Sequence, residues 1–318
     1  MPRIVITDCD HGTVDTEQRA ADSAGVELVL AHCANEQDVI SAGAGADGLI
    51  VQYAPITATV LEALPGLRVV SRYGVGVDTV DLDAAHTRGV TVCNVPDYGT
   101  EDVSDHAIAL ALSVLRGIPR LDRGMRAGSA DLAPIKPLHR LRGRTFGVLG
   151  LGRIGAATAA KARALGFELV GHDPMVTTVP DGLEGMDLLE LDDLLRRVDV
   201  LSLHAPLVPA TRHVIDADAL ALMGPETVVV NTSRGGLVDT EALADAIEQG
   251  TILGAALDVT EVEPLPASHR LYDLPNVVLT PHAGWYSEES FTELKQRTAD
   301  NAIAAVLGRT PRNVVGPA

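Results

Sequence analysis

Short apolar runs and longer amphipathic stretches follow one another along this chain. Short apolar runs separated by helical patterns are typical of parallel sheets with helices on both faces. The first series of runs lies at residues 3–7, 26–31, 48–51, 68–71 and 91–95. A second series begins at Phe146 and continues at residues 168–172, 198–203, 227–231, 254–259 and 276–280. The pattern predicts an α/β protein with two doubly wound parallel sheets.

Two helical stretches flank the second series. Residues 100 to about 126 are predicted to form one helix that begins at Thr100, because acidic residues follow in its first turn. Residues 287–308 give a partly apolar helical face after the last run. A chain that returns to its first domain through a C-terminal helix makes that domain discontinuous. We therefore expect one domain at 1–98 with 287–318 and another at 99–286.

The most informative motif is a glycine-rich turn that follows the run at Phe146 and contains Gly150, Gly152 and Gly155. A strand, a glycine turn and a helix in this order bind the pyrophosphate of a dinucleotide at the helix N-terminus. Asp173 ends the next run, at about the spacing of a carboxylate that binds ribose hydroxyls. Because Asp173 would repel a 2′-phosphate and Pro174 follows it instead of Arg, the sequence favours NAD over NADP.

Three polar side chains that follow later apolar runs suggest chemistry beside this cofactor: Arg234, Glu263 and His282. In open parallel sheets the ligand lies beyond the carboxyl ends of the strands. A guanidinium can grip a carboxylate and polarise a carbonyl. An imidazole oriented by a carboxylate can carry the proton that accompanies a hydride. Together these residue types indicate a 2-oxo-acid reductase.

Each of the three side chains also has an ordinary interpretation. Arg234 could bind a cofactor phosphate, Glu263 could be solvated, and His282 could be structural; their shared sheet edge favours catalysis. His204 also follows an apolar run and suits a wall of the cofactor cleft. The other histidines have no such companions in the sequence: His11, His32, His86, His106, His139, His172, His213 and His269.

Composition narrows the classes of partner. The chain of 318 residues is 46% hydrophobic and 21% charged, which is typical of a soluble protein of about two domains. A net charge of −18 argues against a nucleic-acid surface. No apolar run has the length of a membrane span. Cys9, Cys33 and Cys93 lack metal-ligand spacing and indicate reduced thiols in the cytoplasm. We expect no metal, nucleic-acid or membrane partner.

With these motifs the sequence resembles the D-2-hydroxyacid dehydrogenase family over nearly the whole chain. The matching segments lie at residues 72–78, 94–96, 147–155, 203–207, 231–236, 256–259 and 280–282. The resemblance implies a flavodoxin-like substrate-binding domain and a Rossmann NAD-binding domain. It also implies a homodimer formed through the cofactor domain.

The resemblance assigns a role to each candidate residue. Arg234 binds and polarises the substrate, and Glu263 supports the acid/base His282. The amides of Val75 and Gly76 would bind the substrate carboxylate, and Asp258 would meet the nicotinamide amide. The expected cofactor residues are Gly150, Gly152, Arg153, Ile154, Gly155, Asp173, Pro174, His204, Pro206, Thr211, Thr232, Ser233, Asp258 and Gly284. The expected substrate residues are Arg72, Tyr73, Val75, Gly76, Tyr53 and Trp285.

Residues 281–288 resemble the branch that contains the C-terminal-binding proteins, which are NAD-dependent corepressors. Arg72 and Trp285 match that branch's substrate arginine and pocket tryptophan, but its long tail has no counterpart here. We therefore predict NAD-dependent reduction of a small 2-oxo acid to a D-2-hydroxy acid. An NAD(H)-sensing binding protein and phosphoglycerate dehydrogenase stay as alternatives. The latter is less favoured because the length leaves no room for a regulatory domain and residues 51–55 contain no basic side chain.

Overall fold

The computed structural model of the protein describes residues 1–316. The chain forms two compact units. Unit 1 comprises Met1–Gly99 and the described part of Ser287–Ala318, and unit 2 comprises Thr100–Tyr286. Within the described residues no helix has both the length and the apolar character needed to cross a membrane.

Unit 1 is built on a five-stranded parallel sheet with the order β2-β1-β3-β4-β5, which is the flavodoxin-like order. Its strands are β1 Arg3–Ile6, β2 Glu27–Leu30, β3 Gly48–Val51, β4 Val69–Arg72 and β5 Thr91–Cys93. The central strand β3 is buried along its whole length, as expected for a strand with both faces covered. Its helices are α1 Asp15–Ala24, α2 Glu36–Gly43, α3 Ala58–Ala63, α4 Leu82–Thr87 and α11 Glu288–Val306.

The C-terminal helix α11 belongs to unit 1. Ser287 caps it: the Ser287 hydroxyl accepts from the Ser290 amide, and the Ser290 hydroxyl accepts from the Ser287 amide. The helix packs against α1 and strands β3, β4 and β5. A hydrogen bond of 2.8 Å from the Ser71 hydroxyl to the Thr298 carbonyl ties it to β4. The predicted C-terminal helix thus completes one face of the sheet in unit 1.

A buried polar cluster lies between α1 and α11. Glu17 is fully buried and Lys295 is 2% exposed, with Lys295 Nζ 3.3 Å from Glu17 Oε1. The ammonium also donates to the Thr13 carbonyl. The Tyr73 hydroxyl donates to Glu17 Oε1 at 2.6 Å. Burial, together with the neighbouring Glu17 carboxylate, raises the pKa of Tyr73 above its ordinary value.

Unit 2 is built on a seven-stranded parallel sheet with the order β12-β11-β10-β9-β6-β7-β8. Its strands are β6 Thr145–Leu149, β7 Glu168–His172, β8 Asp187–Leu188, β9 Val200–Leu203, β10 Val228–Asn231, β11 Gly254–Leu257 and β12 Val277–Leu279. The strand order reverses beside β6, and ligands bind at such switch points. This is the Rossmann order with one added strand, and it confirms the predicted fold class. The short edge strand β8 was not predicted.

The helices of unit 2 are α5 Thr100–Leu115, α6 Ile118–Arg126, α7 Arg153–Ala164, α8 Leu191–Arg197, α9 Ala217–Leu222 and α10 Thr240–Glu248. The prediction of one helix from 100 to 126 was wrong, because Gly117 adopts a φ of 62° and separates α5 from α6. This left-handed conformation suits glycine and ends a helix. The predicted start at Thr100 is confirmed.

Candidate active site

The register of the larger sheet brings its strand ends level with one another. Leu149 pairs with both His172 and Leu203, and the line continues through Asn231 and Leu257. The residues that follow these strands therefore lie along one carboxyl edge. Every predicted cofactor residue and all three predicted catalytic residues belong to unit 2 and follow one of its strands.

Glycine is needed for a different structural reason at each of the three fingerprint positions. A Cβ on Gly150, whose φ is 94°, would lie 2.6 Å from the Ala205 nitrogen. A Cβ on Gly155 would lie 2.0 Å from the Gly150 carbonyl oxygen, so this glycine lets α7 approach the turn. A Cβ on Gly152 would meet nothing within 4 Å. Gly152 therefore leaves open space beside the turn, as a pyrophosphate requires.

The N-terminus of α7 offers donors to an anion. Gly152 is its N-cap and supplies no capping side chain. The first amides of a helix have no partner within the helix, and those of Arg153 and Ile154 lie here. Aligned peptide dipoles add positive potential at the same place. The turn thus fits the phosphates of a dinucleotide, in agreement with the family fingerprint.

Asp173 lies directly beyond β7, beside the glycine turn. Its Oδ2 accepts from the Leu151 amide at 2.8 Å, and its Oδ1 accepts from the Met175 amide at 2.9 Å. These two bonds fix the carboxylate next to the turn. Pro174 is exposed and brings no positive charge. A ribose with two hydroxyls suits this environment better than a 2′-phosphate.

The loops after β9 and β10 form the next part of the edge. His204 Nε2 lies 2.8 Å from the Ser202 hydroxyl, and burial lowers the pKa of His204 to about 4, so the ring is neutral at pH 7. Thr211 Oγ1 donates to the Pro206 carbonyl at 2.6 Å. The buried Thr232 hydroxyl has no hydrogen-bond partner within residues 1–316. A buried hydroxyl of this kind can donate to a bound cofactor.

His282 and Glu263 form the hydrogen-bonded pair that the sequence predicted. His282 Nδ1 lies 2.8 Å from Glu263 Oε2, and each side chain remains more than one third exposed. The Thr260 amide donates to Glu263 Oε1 at 3.3 Å. His282 has a φ of 56°, a strained value for a residue other than glycine. The backbone places an accessible imidazole against a carboxylate.

Asp258 explains how that backbone is held. Its Oδ1 accepts from the Thr280 hydroxyl at 2.5 Å and from the Ala283 amide at 2.9 Å, and its Oδ2 accepts from the Gly284 amide at 2.8 Å. Burial raises the pKa of Asp258, but these bonds and one from His106 outweigh it and lower the pKa to about 2. Asp258 is thus the anchor of the His282 turn, and its contact with a nicotinamide amide stays a prediction.

Arg234 follows β10 in a loop that its neighbours immobilise. Asn231 Nδ2 donates to the Arg234 carbonyl at 2.9 Å, and Asn231 Oδ1 accepts from the Ser233 amide at 3.0 Å. The Ser233 hydroxyl donates to the Ala205 carbonyl at 2.7 Å, which joins this loop to the one after β9. The guanidinium donates to the Ser233 carbonyl at 2.8 Å.

Two histidines without companions in the sequence, His106 and His213, have partners in the fold. His106 Nε2 lies 3.0 Å from the Thr280 hydroxyl and 3.4 Å from Asp258 Oδ1. His213 Nε2 lies 2.6 Å from Glu261 Oε1. Both partners are distant in sequence, so only the fold brings them together. The second acidic residue in the segment Glu261-Val262-Glu263 was the available clue.

The predicted substrate residues of unit 1 lie on the loop after β4. A Cβ on Gly74, whose φ is 115°, would lie 2.0 Å from Arg72 Nη1, so glycine lets the guanidinium fold over this backbone. Val75 is 39% exposed and its carbonyl accepts from Asn94 Nδ2 at 2.7 Å. Gly76 follows on the same loop. The exposed amide-bearing loop is compatible with an anion site, and its substrate role stays a prediction.

The two tyrosines of unit 1 differ. Tyr53 is 55% exposed, and its amide donates to Asp8 Oδ2 at 2.5 Å. Tyr73 is 2% exposed, and its ring packs edge-on against His11 at 5.1 Å between centroids. Because the Tyr73 hydroxyl is bound to Glu17, a substrate contact at this position would use the Tyr73 backbone, and its substrate role stays a prediction.

Trp285 follows the His282 turn in unit 2. The indole is half-buried, and its ring meets that of Tyr286 edge to face at 5.6 Å.

Among residues 1–316 no cluster of histidine, cysteine or carboxylate side chains could hold a metal ion.

Known proteins resemble this chain in sequence and in structure. Residues 108–284 match the family model described as "D-isomer specific 2-hydroxyacid dehydrogenase, NAD binding domain". A glyoxylate reductase from Korarchaeum cryptofilum is 40% identical over 264 residues, which cover 82% of this chain and 80% of that protein. The crystal structure of a glyoxylate reductase from Paecilomyes thermophila has a TM-score of 0.89 at 28% identity. The match covers 99% of this chain and 98% of the reductase chain.

A D-3-phosphoglycerate dehydrogenase from Methanocaldococcus jannaschii is 35% identical over 317 residues. The match covers 99% of this chain but only 59% of that dehydrogenase, so the chain spans little more than half the length of this relative. None of these three names is that of a corepressor, and that branch stays a prediction. The matches extend over both units and over the glycine turn described above. The chain belongs to the D-2-hydroxyacid dehydrogenase family, and its unit 2 contains that family's NAD-binding domain.

Proposed function

We propose that the protein reduces a small 2-oxo acid to a D-2-hydroxy acid with NADH, reversibly. The observation that carries this proposal is the pair His282 and Glu263, 2.8 Å apart on the sheet edge that holds the glycine turn. Family membership supports it, because the relatives named above are reductases and dehydrogenases of 2-hydroxy acids.

The proton path follows from the orientation of the imidazole. His282 Nδ1 is directed at Glu263, so Nε2 is the nitrogen that gives its proton to the substrate oxygen. A bound nicotinamide supplies the hydride that the carbonyl carbon receives. The negative charge of Glu263 stabilises the imidazolium before the transfer and holds the ring in one orientation.

Arg234 is the residue proposed to bind and polarise the substrate. Its loop is held by Asn231 and Ser233, so the guanidinium is positioned before the substrate arrives. A planar guanidinium can bind a carboxylate in a bidentate manner and polarise the adjacent carbonyl. In the reverse direction His282 Nε2 accepts the proton of the 2-hydroxyl group.

We propose NAD rather than NADP as the cofactor because the Asp173 carboxylate is fixed beside the glycine turn. A 2′-phosphate placed against this anion would be repelled. Fluorescence titration should show NADH binding roughly 100-fold more tightly than NADPH, which corresponds to about 2.7 kcal/mol. D173A should narrow this ratio. Tighter binding of NADPH by the wild-type protein would refute the assignment.

The substrate is best identified by an NADH-oxidation screen over 2-oxo acids. Glyoxylate, hydroxypyruvate, 3-phosphohydroxypyruvate and 2-oxo acids with apolar or thioether side chains form the panel. Residues 51–55 contain no basic side chain, so we expect the phosphorylated substrate to be poor. Trp285 beside the His282 turn favours apolar side chains, since burial of each methylene contributes about 0.8 kcal/mol.

The same screen decides between an enzyme and a sensing protein. A protein that binds NADH tightly but turns over no 2-oxo acid would support the NAD(H)-sensing alternative. The complete set of Arg234, Glu263 and His282 favours turnover, because a binding protein has no need of an acid/base pair.

We further propose a homodimer formed through unit 2 and a cytoplasmic location. Large apolar side chains at Ile118, Met125 and Leu132 are more than half exposed on one segment of unit 2. We propose that these side chains contribute to the interface, because exposed apolar surface is a feature of protein interfaces. Sedimentation velocity should give the mass of a dimer. The three cysteines are all free thiols, as expected in a reducing compartment.

A further inference from the structure

Two histidines with left-handed backbone each meet a glutamate of the same short loop. Among residues 1–316 other than glycine, only His213 and His282 have positive φ, 49° and 56°. His282 pairs with Glu263, and His213 pairs with Glu261, at 2.8 and 2.6 Å. One pair is the proposed proton donor. The other has no part in that chemistry.

The Glu261 side chain links three separate segments of unit 2 through its contacts. Its Oε1 is bound by His213, which lies after β9, and Arg212 Nη2 approaches the same oxygen to 3.5 Å. Its Oε2 accepts from the amide of Thr240, the first residue of α10, at 3.1 Å. The carboxylate itself stands on the loop after β11. Burial raises the pKa of Glu261, but the bonds from His213 and Thr240 outweigh it, and the pKa is lowered.

His213 is itself held by the backbone. Its amide donates to the Gly236 carbonyl at 2.8 Å, and the following segment is bound to the same loop through Ile215 and Leu237 at 3.0 Å. Gly236 lies two residues after Arg234. His213 therefore connects two loops: its amide binds the Arg234 loop, and its imidazole binds the Glu261 carboxylate.

The loop with Glu261 is also in direct contact with the loop of Arg234. A Cβ on Gly235 would lie 2.0 Å from the carbonyl carbon of Thr260 and 2.5 Å from the amide nitrogen of Glu261. The Thr260 amide, in turn, donates to Glu263. A displacement of residues 260–261 would therefore move both Arg234, which polarises the carbonyl in the proposed mechanism, and Glu263, which orients the His282 imidazole.

We propose that Glu261 and His213 are positioning residues that fix the loop bearing Glu263, and through it the His282 imidazole and Arg234. The inference rests on the proposed function for its kinetic consequences and on the contacts above for its structural ones. Neither residue touches the reacting atoms. Their effect is on the orientation of the groups that do.

The test compares E261Q and H213N with a matched pair. Asn tolerates the left-handed backbone of His213, and Gln keeps the shape of Glu261, so H213N removes the imidazole and E261Q removes the carboxylate charge with little strain. E241Q and H269N are the controls, since His269 Nε2 and Glu241 Oε1 form a similar pair at 3.2 Å that also involves α10. The Glu241 carboxylate pairs with His269 and Arg270.

In E261Q and H213N we expect kcat for reduction of glyoxylate, or of the best acid in the screen, to fall about 10- to 100-fold. The Kd for NADH should change less than about twofold, because the glycine turn is untouched. The pH–rate profile for reduction should move to lower pH in both variants, since the Glu263 carboxylate is no longer held against the His282 imidazole. The two control variants should match the wild type.

A second readout is independent of turnover. The Cε1–Hε1 resonance of His282, followed by NMR in the full-length protein, should move in E261Q and H213N and stay in place in E241Q and H269N. If the wild type reduces no 2-oxo acid while this resonance moves, the proposed function fails and the positioning role stands. A lower unfolding temperature with unchanged kcat, pH profile and His282 resonance would overturn the inference.

Discussion

At the scale of single residues, His282 combines a chemical role with an uncommon backbone. H282N is the informative variant, because Asn accepts the φ of 56° and removes the proton donor. Loss of a positioned acid/base costs roughly 100- to 10,000-fold in rate, so kcat should fall by this amount. The Kd for NADH should remain that of the wild type. H139N, which removes a histidine paired with Glu226 at 3.1 Å, is the control. Full turnover in H282N would refute the mechanism.

His204 gives a prediction for stability against pH. The pKa is lowered from 6.5 to about 4 on folding, so below pH 6.5 the unfolded chain binds a proton that the folded chain does not. Stability is therefore full above pH 6.5 and is lost as the pH falls towards 4. At pH 5 the loss is on the order of 1–2 kcal/mol. Urea unfolding of H204N should show a smaller decrease between pH 7 and pH 5 than the wild type; an equal decrease would assign the acid sensitivity to other groups.

Single residues also show why part of the candidate site could be predicted from the sequence. Arg234, Glu263 and His282 each follow an apolar run, and parallel topology alone brings such residues to one edge. The roles of His213 and Glu261 depend instead on a left-handed turn and on contacts between distant loops. The sequence proximity of Tyr73 to Arg72 does not reveal which way the Tyr73 side chain points at the end of a strand.

At the scale of elements, the glycine turn and α7 give a paired prediction. In G155A the new Cβ meets backbone at 2.0 Å, so the turn must shift and the protein should lose about 1–3 kcal/mol of stability. In G152A the Cβ enters open space, so the unfolding midpoint should be unchanged. The same Cβ occupies the room for the pyrophosphate, and the Kd for NADH should rise at least about tenfold.

Calorimetry and NADH titration of the two variants separate packing from binding. Equal losses of stability in G152A and G155A would contradict the different environments of these glycines.

Most strands and helices could be predicted from the sequence, because a buried strand needs a continuous apolar run and a helix needs an apolar face. The break between α5 and α6 was missed because one glycine inside a helical pattern is often tolerated, and only the φ of Gly117 shows that it ends the helix. Strand β8 has two residues at a sheet edge, too few for a periodic pattern.

At the scale of the whole molecule, the discontinuity of unit 1 makes its stability depend on α11. The helix buries Leu294, Ala299, Ala302 and Val306, and its Lys295 faces the buried Glu17. Deletion of residues 287–318 should expose this apolar face and leave Glu17 without its cation, which is strongly destabilising. Hydrogen–deuterium exchange should show loss of protection in β1, β3 and β4. Peptides from β6, β9 and β10 of unit 2 serve as the internal control; retained protection in β3 and β4 would refute this dependence.

The return of the chain into unit 1 also sets an order in time during synthesis. Strands β1 to β5 leave the ribosome first, but the helix that covers them follows only after all of Thr100–Tyr286. At 5–20 residues per second this interval lasts on the order of 10–40 s. Throughout it, one apolar face of the nascent sheet lacks the cover of α11 and is left to α1 alone. The ribosome-bound chain, rather than the finished protein, is therefore the form that most needs a chaperone.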